Sequence, residues 1–323
     1  MQTPARRFCT KCRHLPAEVA ANQNEPLCRQ CLVSGMLSRF RNVIRLQQLI
    51  QPGDKVLAAA SGGAASQAML YCLLQIQNTN PERPDRGKVS FNLAVAHVDG
   101  DALLAEGRNV SSSGACNGHA TVQSSNSAAT WTSAETAINS LLRSHGPANQ
   151  SPCHVLSLPF PSISPDRGQA DASQQASMDP TSLSDSRHEQ RDQLLREYAR
   201  LQGCNRIAMG YSSTRLAILT IAEAAKGFGA DIPASVQYLG PREQDASRPV
   251  IMRPMRDITA KDAAFLCHFL KLHVAAPSGS QKPSNPAASH RDINLLAMEF
   301  VNGLQATMPS GASAILRTAS KLQ

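Results

Sequence analysis

Lys55-Val-Leu-Ala-Ala-Ala-Ser-Gly-Gly-Ala-Ala-Ser66 is the stretch of this chain that decides its fold. Its apolar first half is typical of a short buried strand, and the two glycines after it open a helix. Adjacent glycines let the backbone approach an anion closely, and a helix N-terminus offers it unpaired N–H groups. The stretch therefore predicts a phosphate-holding loop in an α/β protein. The candidate ligand-binding residues are Ser61, Gly62, Gly63 and Ser66.

This loop lacks the charged residues that accompany phosphate chemistry. It contains no lysine to neutralise a phosphate and no aspartate to hold a metal ion. Two interpretations stay open: weak binding of a phosphate or nucleotide through backbone N–H groups, or a purely structural turn. Either way, the loop predicts a nucleotide-site scaffold that has lost its chemistry.

Strands and helices alternate along the chain after Asp54. Hydrophobic periodicity predicts strands at 55–60, 91–98, 154–158 and 206–209. It predicts helices at 66–77, 134–143, 191–201, 214–226, 259–272 and 293–304. This alternation predicts a doubly wound parallel sheet, in which ligands bind at the carboxyl edge of the strands.

Two segments interrupt the alternation. Residues 101–130 and 162–188 are rich in Ser, Asn, Gly, Gln, Asp and Pro and contain few large apolar residues. Such composition does not offset the entropy of ordering the chain. We therefore expect both segments to be low-complexity surface inserts rather than domains.

Composition limits the class of protein. The 323 residues carry a net charge of +8, with 32 Lys and Arg against 24 Asp and Glu. A basic balance favours an acidic partner, of which nucleic acid is the commonest. No apolar run follows Met1, and no stretch approaches the roughly 18 apolar residues of a membrane span. We therefore expect a cytoplasmic protein without membrane contact.

Four of the nine cysteines form one pattern. Cys9-Thr-Lys-Cys12 and Cys28-Arg-Gln-Cys31 are two C-x-x-C pairs separated by fifteen residues. This spacing presents four thiolates to one tetrahedral ion, and zinc is the first choice for a closed site of four sulfur ligands. Redox pairs and chance are the alternatives. The other cysteines, which we expect to be buried or incidental thiols, are Cys72, Cys116, Cys153, Cys204 and Cys267.

The chain accordingly divides into four parts. Residues 1–33 form a zinc-knuckle module, and residues 34–50 form a basic amphipathic helix that joins it to the main domain. Residues 51–310 form the α/β domain with its two inserts, and residues 311–323 form a C-terminal tail.

A second loop follows the fourth predicted strand of the domain. It reads Gly210-Tyr-Ser-Ser-Thr-Arg215 and lies beside the first loop in a sheet of this order. Together the two loops resemble the PP-loop ATP pyrophosphatases, whose motifs are Ser-Gly-Gly-x-Asp-Ser and, in tRNA-thiolating members, Gly-His-Asn-x-Asp-Asp. Here Ala65, Thr214 and Arg215 stand where the resemblance implies carboxylates. We therefore do not expect a competent ATP site.

The cysteine pairs, the degenerate loop, Gly-x-Ser-x-Thr-Arg-Leu-Ala at 210–217 and Arg-Pro-Met-Arg-Asp at 253–257 together resemble the cytoplasmic tRNA 2-thiolation protein 2 family. The resemblance implies a helper subunit that pairs as a heterodimer with a catalytic PP-loop paralogue. It implies sulfur transfer from a thiocarboxylated ubiquitin-like carrier to the wobble uridine of the Lys, Glu and Gln tRNAs. It also implies a further cysteine-containing C-terminal stretch, so we expect the chain to be truncated.

Three arginines near the expected carboxyl edge are candidate contacts to tRNA or to an acidic partner. They are Arg215, Arg253 and Arg256, and surface salt bridges are the alternative interpretation. Two other functions stay open. Aspartates at 54, 99 and 101 leave room for an independently active ATP-dependent tRNA nucleotidyl or sulfur transferase. A zinc-ribbon RNA-binding module on an inert domain is the third hypothesis.

Overall fold

A computed structural model describes residues 8–21, 24–77, 90–98, 126–147, 154–156, 179–241, 248–275 and 292–322. Its strands are β1 (Val19–Ala21), β2 (Glu25–Leu27), β3 (Lys55–Ala59), β4 (Asn92–Val98), β5 (His154–Leu156), β6 (Arg206–Met209) and β7 (Val250–Met252). Its helices are α1 (Arg29–Leu46), α2 (Ala64–Gln77), α3 (Asn126–His145), α4 (Pro180–Leu201), α5 (Ser213–Ala225), α6 (Ile232–Ser235), α7 (Ala260–Leu270), α8 (Ile293–Thr307) and α9 (Gly311–Ala319).

Five described strands form one parallel sheet in the order β5-β4-β3-β6-β7. The chain leaves β3 towards one edge through β4 and β5, and then returns to the other side of β3 as β6. The reversal lies between β3 and β6, and it leaves a crevice at their carboxyl ends. The predicted parallel sheet is therefore confirmed, with one more strand, β7, than the sequence indicated.

The central strand is buried on both faces. Val56 and Ala58 join one apolar cluster, while Leu57 and Ala59 pack into another. The first cluster includes residues of α1, α2, α3 and α7, and the second includes residues of α4. Helices thus cover both faces, as in a doubly wound fold.

The helices α3 and α4 begin eight or more residues earlier than the sequence predicted. α4 begins at Pro180 rather than near 191, because Asp179 caps it: its side chain accepts hydrogen bonds from the N–H groups of Thr181 and Ser182. α3 begins at Asn126 rather than at 134. The expected insert boundaries at 130 and 188 are therefore wrong. Residues 101–125 and 162–178 of these inserts lie outside the described residues.

The ends of the α/β domain also differ from the prediction. The linking helix expected at 34–50 begins at Arg29, directly after Cys28, so that the second cysteine pair opens the helix. The segment expected as a tail from 311 contains α9, which packs with α8 against α5. Leu316 and Ala319 of α9 are buried with Leu216 of α5.

A buried ion pair ties the amino ends of β3 and β6 together. Asp54 accepts hydrogen bonds from the backbone of Gln51 at 2.7 Å and from the side-chain amide of Asn205 at 2.6 Å. Its Oδ2 also lies 3.4 Å from Nε of Arg206. Asp54 is therefore a structural residue at the edge of the sheet opposite the crevice.

Replacing Asp54 by Ala should lower the free energy of unfolding by about 3 kcal/mol, because it leaves the buried Arg206 guanidinium without its counter-ion. Urea denaturation measures this loss. The matched control is Glu197→Ala, which removes a carboxylate paired with the half-exposed Arg200 and should cost about 0.5 kcal/mol or less. Equal losses for the two variants would contradict the structural role of Asp54.

Candidate functional site

A cleft of about 420 Å³ opens at the carboxyl ends of β3, β4 and β6. The β3–α2 loop forms one wall, and residues of α4 and the β6–α5 loop form the other. Its lining includes Ser61, Gly63, Ala65, Ser66, Arg191, Gly210, Tyr211, Ser212 and Arg215. The two predicted loops therefore meet in one cavity, as the strand order requires.

The β3–α2 loop is held by its own serines. Ser66 donates through Oγ to the carbonyl of Gly63 at 2.9 Å, and its Oγ lies 3.2 Å from Oγ of Ser61. His97 of β4 supports the start of the loop through a 2.8 Å contact of Nδ1 with the carbonyl of Ala60. The first N–H groups of α2 have no partner within the helix, so this loop can receive an anion.

Two glycines permit the loop to lie where it does. Gly62 has a φ of +77°, and a Cβ there would lie 2.9 Å from the Cβ of Ala134. A Cβ on Gly210, at the end of β6, would lie 2.8 Å from the Cα of Ser66. The two loops therefore approach each other more closely than any residue with a side chain would allow.

The opposite wall is basic. Arg191 lies on α4, and Arg215 lies in the first turn of α5, whose N-cap is Ser212. Arg191 donates to the hydroxyl of Tyr211 at 2.7 Å and pairs with Asp192 at 2.8 Å. Burial raises the pKa of Tyr211, so its phenol stays protonated at neutral pH.

Two of the three residues that stand in place of the expected carboxylates line the cavity. Ala65 presents a methyl group to it, and Arg215 presents a guanidinium. Thr214 is buried outside the lining, and its Oγ1 accepts hydrogen bonds from the N–H of Ala260 and the amide of Gln305. No carboxylate lines the cleft among the described residues. Asp99 and Asp101 lie outside the described residues.

Of the three predicted arginine contacts, only Arg215 lines the cleft. Arg253 and Arg256 follow β7 and bind the segment after α6: Arg253 donates to the carbonyl of Gln237 at 3.1 Å, and Arg256 to that of Val236 at 2.6 Å. The guanidinium of Arg256 also lies 4.7 Å from the ring centre of Tyr238. Both side chains therefore hold the segment after α6, and their contact with tRNA or an acidic partner stays a prediction. Arg215 lies in the first turn of α5, within the helix predicted at 214–226.

Sequence reasoning missed Arg191 and its neighbour His188 as site residues. Both lie near the middle of α4, where the sequence predicted the end of an insert and the start of a helix. Asp179 followed by Pro180 was the available signal, because an aspartate before a proline marks a helix start. Extending the predicted helix back to Pro180 places His188 on it, one turn before Arg191.

The four paired cysteines form a second candidate site. Their sulfur atoms all lie within 4.8 Å of one another, and those of Cys12 and Cys28 are 3.8 Å apart. Metal–sulfur bonds of about 2.3 Å in a tetrahedron place sulfur atoms about 3.8 Å apart. The sulfur atoms of Cys9, Cys12, Cys28 and Cys31 thus fit a single tetrahedral metal ion.

Local backbone structure produces this cluster. The turn after Cys9 is closed by a 2.9 Å hydrogen bond from the N–H of Arg13 to its carbonyl, and Cys28 is the N-cap of α1. Although burial opposes ionisation, N–H groups of Cys12, Cys28 and Lys11 lower the pKa of Cys9 to about 6. Burial and the neighbouring thiols raise the pKa of Cys31 to about 12. Four thiolates at these distances therefore need a cation to coexist.

The cysteine module packs on the main domain through α7. Phe269 is buried with Cys9, Cys28 and Leu32, and Phe265 packs against the same cluster. Three other cysteines, Cys72, Cys204 and Cys267, are buried thiols, as expected. Cys116 and Cys153 lie outside the described residues.

The chain is similar over nearly its whole length to proteins named cytoplasmic tRNA 2-thiolation protein 2. The human protein is 27% identical over 358 residues, which cover 97% of this chain and 67% of that protein. The protein of Oryza sativa subsp. indica is 27% identical over 327 residues, which cover 98% of this chain and 63% of that protein. No family model matches the chain. The predicted resemblance is confirmed.

A solved structure has the same fold. It is the U34-tRNA thiolase NcsA from Methanococcus maripaludis with its [4Fe-4S] cluster, with a TM-score of 0.66 at 14% sequence identity. The match covers 98% of this chain and 86% of that protein. Among the described residues of the present chain, none of the cysteines lines the cleft. In the same residues, no helix has the length and hydrophobicity needed to cross a membrane.

Replacing Gly210 by Ala should destabilise the protein by about 1–3 kcal/mol, because the new methyl group would overlap the backbone of Ser66. Thermal unfolding followed by circular dichroism measures the change. The control is Gly303→Ala on α8, where no atom lies within 4 Å of the new Cβ and helix propensity predicts a small gain. A stable Gly210→Ala protein would refute the close packing of the two loops.

Proposed function

We propose that this chain acts in tRNA 2-thiolation as a non-catalytic subunit. In this proposal it pairs in the cytoplasm with a catalytic PP-loop paralogue. The partner adenylates the wobble uridine of Lys, Glu and Gln tRNAs, and sulfur from a thiocarboxylated ubiquitin-like carrier then replaces the adenylated oxygen. The product is the 2-thio group of 5-methoxycarbonylmethyl-2-thiouridine.

The absence of carboxylates from the described cleft lining is the observation that carries the non-catalytic role. Magnesium is held in phosphoryl-transfer sites by carboxylates together with substrate phosphates. Ala65 and Arg215 supply a methyl group and a positive charge instead. The similarity to the tRNA 2-thiolation proteins and the thiolase-like fold support the role in thiolation.

The alternative of an independently active transferase loses one of its metal ligands in this structure. Asp54 lies at the amino edge of the sheet and pairs with Arg206, so it cannot reach the cleft. A plain RNA-binding module remains the second candidate, favoured by the basic balance of the chain. Thiolation of tRNA by the chain with and without a catalytic paralogue separates these functions.

The cysteine cluster is proposed to hold a structural zinc ion. Its ligands would be Cys9, Cys12, Cys28 and Cys31, and a closed set of four thiolates leaves no open position for chemistry. Zinc would fix the cysteine module to α1 and, through Phe269, to α7. The module would therefore have a structural role and would take no part in sulfur transfer.

Native mass spectrometry should find one zinc ion per chain, and Cys9→Ser should remove it. Loss of this metal should also lower the midpoint of thermal unfolding, because metal binding contributes to the free energy of folding. Cys204→Ser replaces a buried thiol outside the cluster and should leave the zinc content unchanged. An iron-loaded cluster, or zinc retained by Cys9→Ser, would contradict the assignment.

Thiolation of purified tRNA should require two proteins. The chain alone should form no 2-thiouridine, and adding it to a catalytic PP-loop paralogue with ATP and a thiocarboxylate donor should raise the yield at least about tenfold. Mass spectrometry of the digested nucleosides measures the product. The zinc-free Cys9→Ser variant is assayed in parallel, and it shows how much thiolation remains when the subunit is not correctly assembled.

Three outcomes of this assay would overturn the proposal. Activity of the chain alone would establish the independent enzyme. Full activity of the paralogue alone would show that the chain is not a required subunit. Tight binding of tRNA with no effect of the chain on the paralogue would favour the RNA-binding module.

A further inference from the structure

The described residues that line the cleft at the carboxyl edge carry an unbalanced positive charge. Two arginines line it, and no carboxylate does among the described residues. The pair of Arg191 with Asp192 at 2.8 Å partly compensates the first arginine. The second, Arg215, has no carboxylate within salt-bridge distance in the described part of the chain. Asp192 also attracts Arg215 electrostatically. Since this one carboxylate faces two arginines, the described residues of the cleft keep a net positive charge.

A neutral histidine orients Arg215. Nδ1 of His188 donates to the carbonyl of Ser184 at 2.8 Å, which leaves the lone pair of Nε2 to accept from Arg215 at 2.8 Å. Burial lowers the pKa of His188, so the ring is neutral at physiological pH. The histidine therefore fixes the direction of the guanidinium without neutralising its charge.

The remaining walls suit a ligand with an apolar body. Ala60, Ala96, Val98, Leu195 and Met209 line the cleft beside the polar groups. Tyr211 accepts its hydrogen bond from Arg191, and no described residue accepts the phenolic proton, which is free to be donated to a ligand. A volume of about 420 Å³ lies in the range of small-molecule sites.

A partly buried charge without a counter-ion is energetically unfavourable, and an anionic ligand removes this cost. Arginine matches the oxygens of a phosphate with two parallel N–H donors. Because the arginine itself carries the positive charge, this recognition needs no metal ion. The guanidinium of Arg215 and the N–H groups of the β3–α2 loop line the same cavity.

We propose that the cleft binds a phosphate-bearing small molecule of nucleotide size without a divalent cation, and that Arg215 is its principal anion-binding residue. The apolar walls receive the body of the ligand, and the phenol of Tyr211 is a second donor. This inference rests on the proposed function in one respect, that the cleft carries out no metal-dependent chemistry.

Isothermal titration calorimetry on the full chain tests the inference with four probes. Inorganic phosphate, pyrophosphate, AMP and ATP are each titrated in EDTA and again in excess Mg²⁺. We expect binding in EDTA that Mg²⁺ does not tighten, and we expect AMP to bind more tightly than phosphate because the apolar walls contribute. The phosphate and pyrophosphate arms separate a free anion from a nucleotide.

Arg215→Met should lower the affinity for the probe at least about tenfold, which is the loss expected when a charge-assisted hydrogen bond is removed. Arg215→Lys keeps the positive charge and should lose less affinity than Arg215→Met. The matched control is Arg317→Met on the exposed face of α9, outside the cleft, which should bind as the parent does. Circular dichroism checks that each variant is folded. If Arg215→Met is unfolded, the affinity of Arg215→Lys is compared with that of the parent instead.

Binding that requires Mg²⁺, binding unaffected at Arg215, or no binding of any probe would each overturn the inference. So would binding of single-stranded RNA through Arg215 without competition from the small probes. These outcomes leave the proposed function standing, because the need for this chain in thiolation is measured in the reconstituted assay. A chain that binds AMP through Arg215 but does not stimulate thiolation would refute the proposed function alone.

Discussion

The reversal of strand order between β3 and β6 is the constraint on which the rest of this structure depends. It opens a crevice at the carboxyl ends of these strands and brings the loops after them together. Gly210 then allows the second loop to contact the backbone of Ser66. The backbone of the two loops forms the crevice, and acidic side chains are not needed for its shape. The crevice is therefore present although Ala65 and Arg215 replace the expected acids.

The sheet and the first loop were predictable because they depend on local patterns. A buried parallel strand is a continuous apolar run, and two adjacent glycines mark the turn that follows it. β7, which is three residues long, was missed. The start of α4 was missed because polar composition outweighed the capping signal of Asp179 and Pro180, and with it was missed His188, whose ring contacts Arg215 of the basic wall.

The role of individual side chains was less predictable than their position near the sheet edge. Arg215, Arg253 and Arg256 look alike in the sequence, yet only the first lines the cleft, while the other two bind backbone carbonyls of residues 236 and 237. Which of these arginines reaches the cleft depends on which loops pack together. Loop packing is set by tertiary structure and cannot be read from local sequence. The cysteine pairs were predictable because four ligand positions follow directly from C-x-x-C spacing.

In the proposed function the paralogue catalyses the reaction and this chain does not. Inactivating the paralogue tests this division directly. The acidic residues of the phosphate loop in the catalytic paralogue are replaced by alanine, the paralogue is combined with this unaltered chain, and ATP-dependent AMP release and tRNA thiolation are measured. If the cleft of this chain has lost metal-dependent chemistry, both activities should be absent. AMP release and thiolation that persist in this pair would show that the chain catalyses the reaction itself.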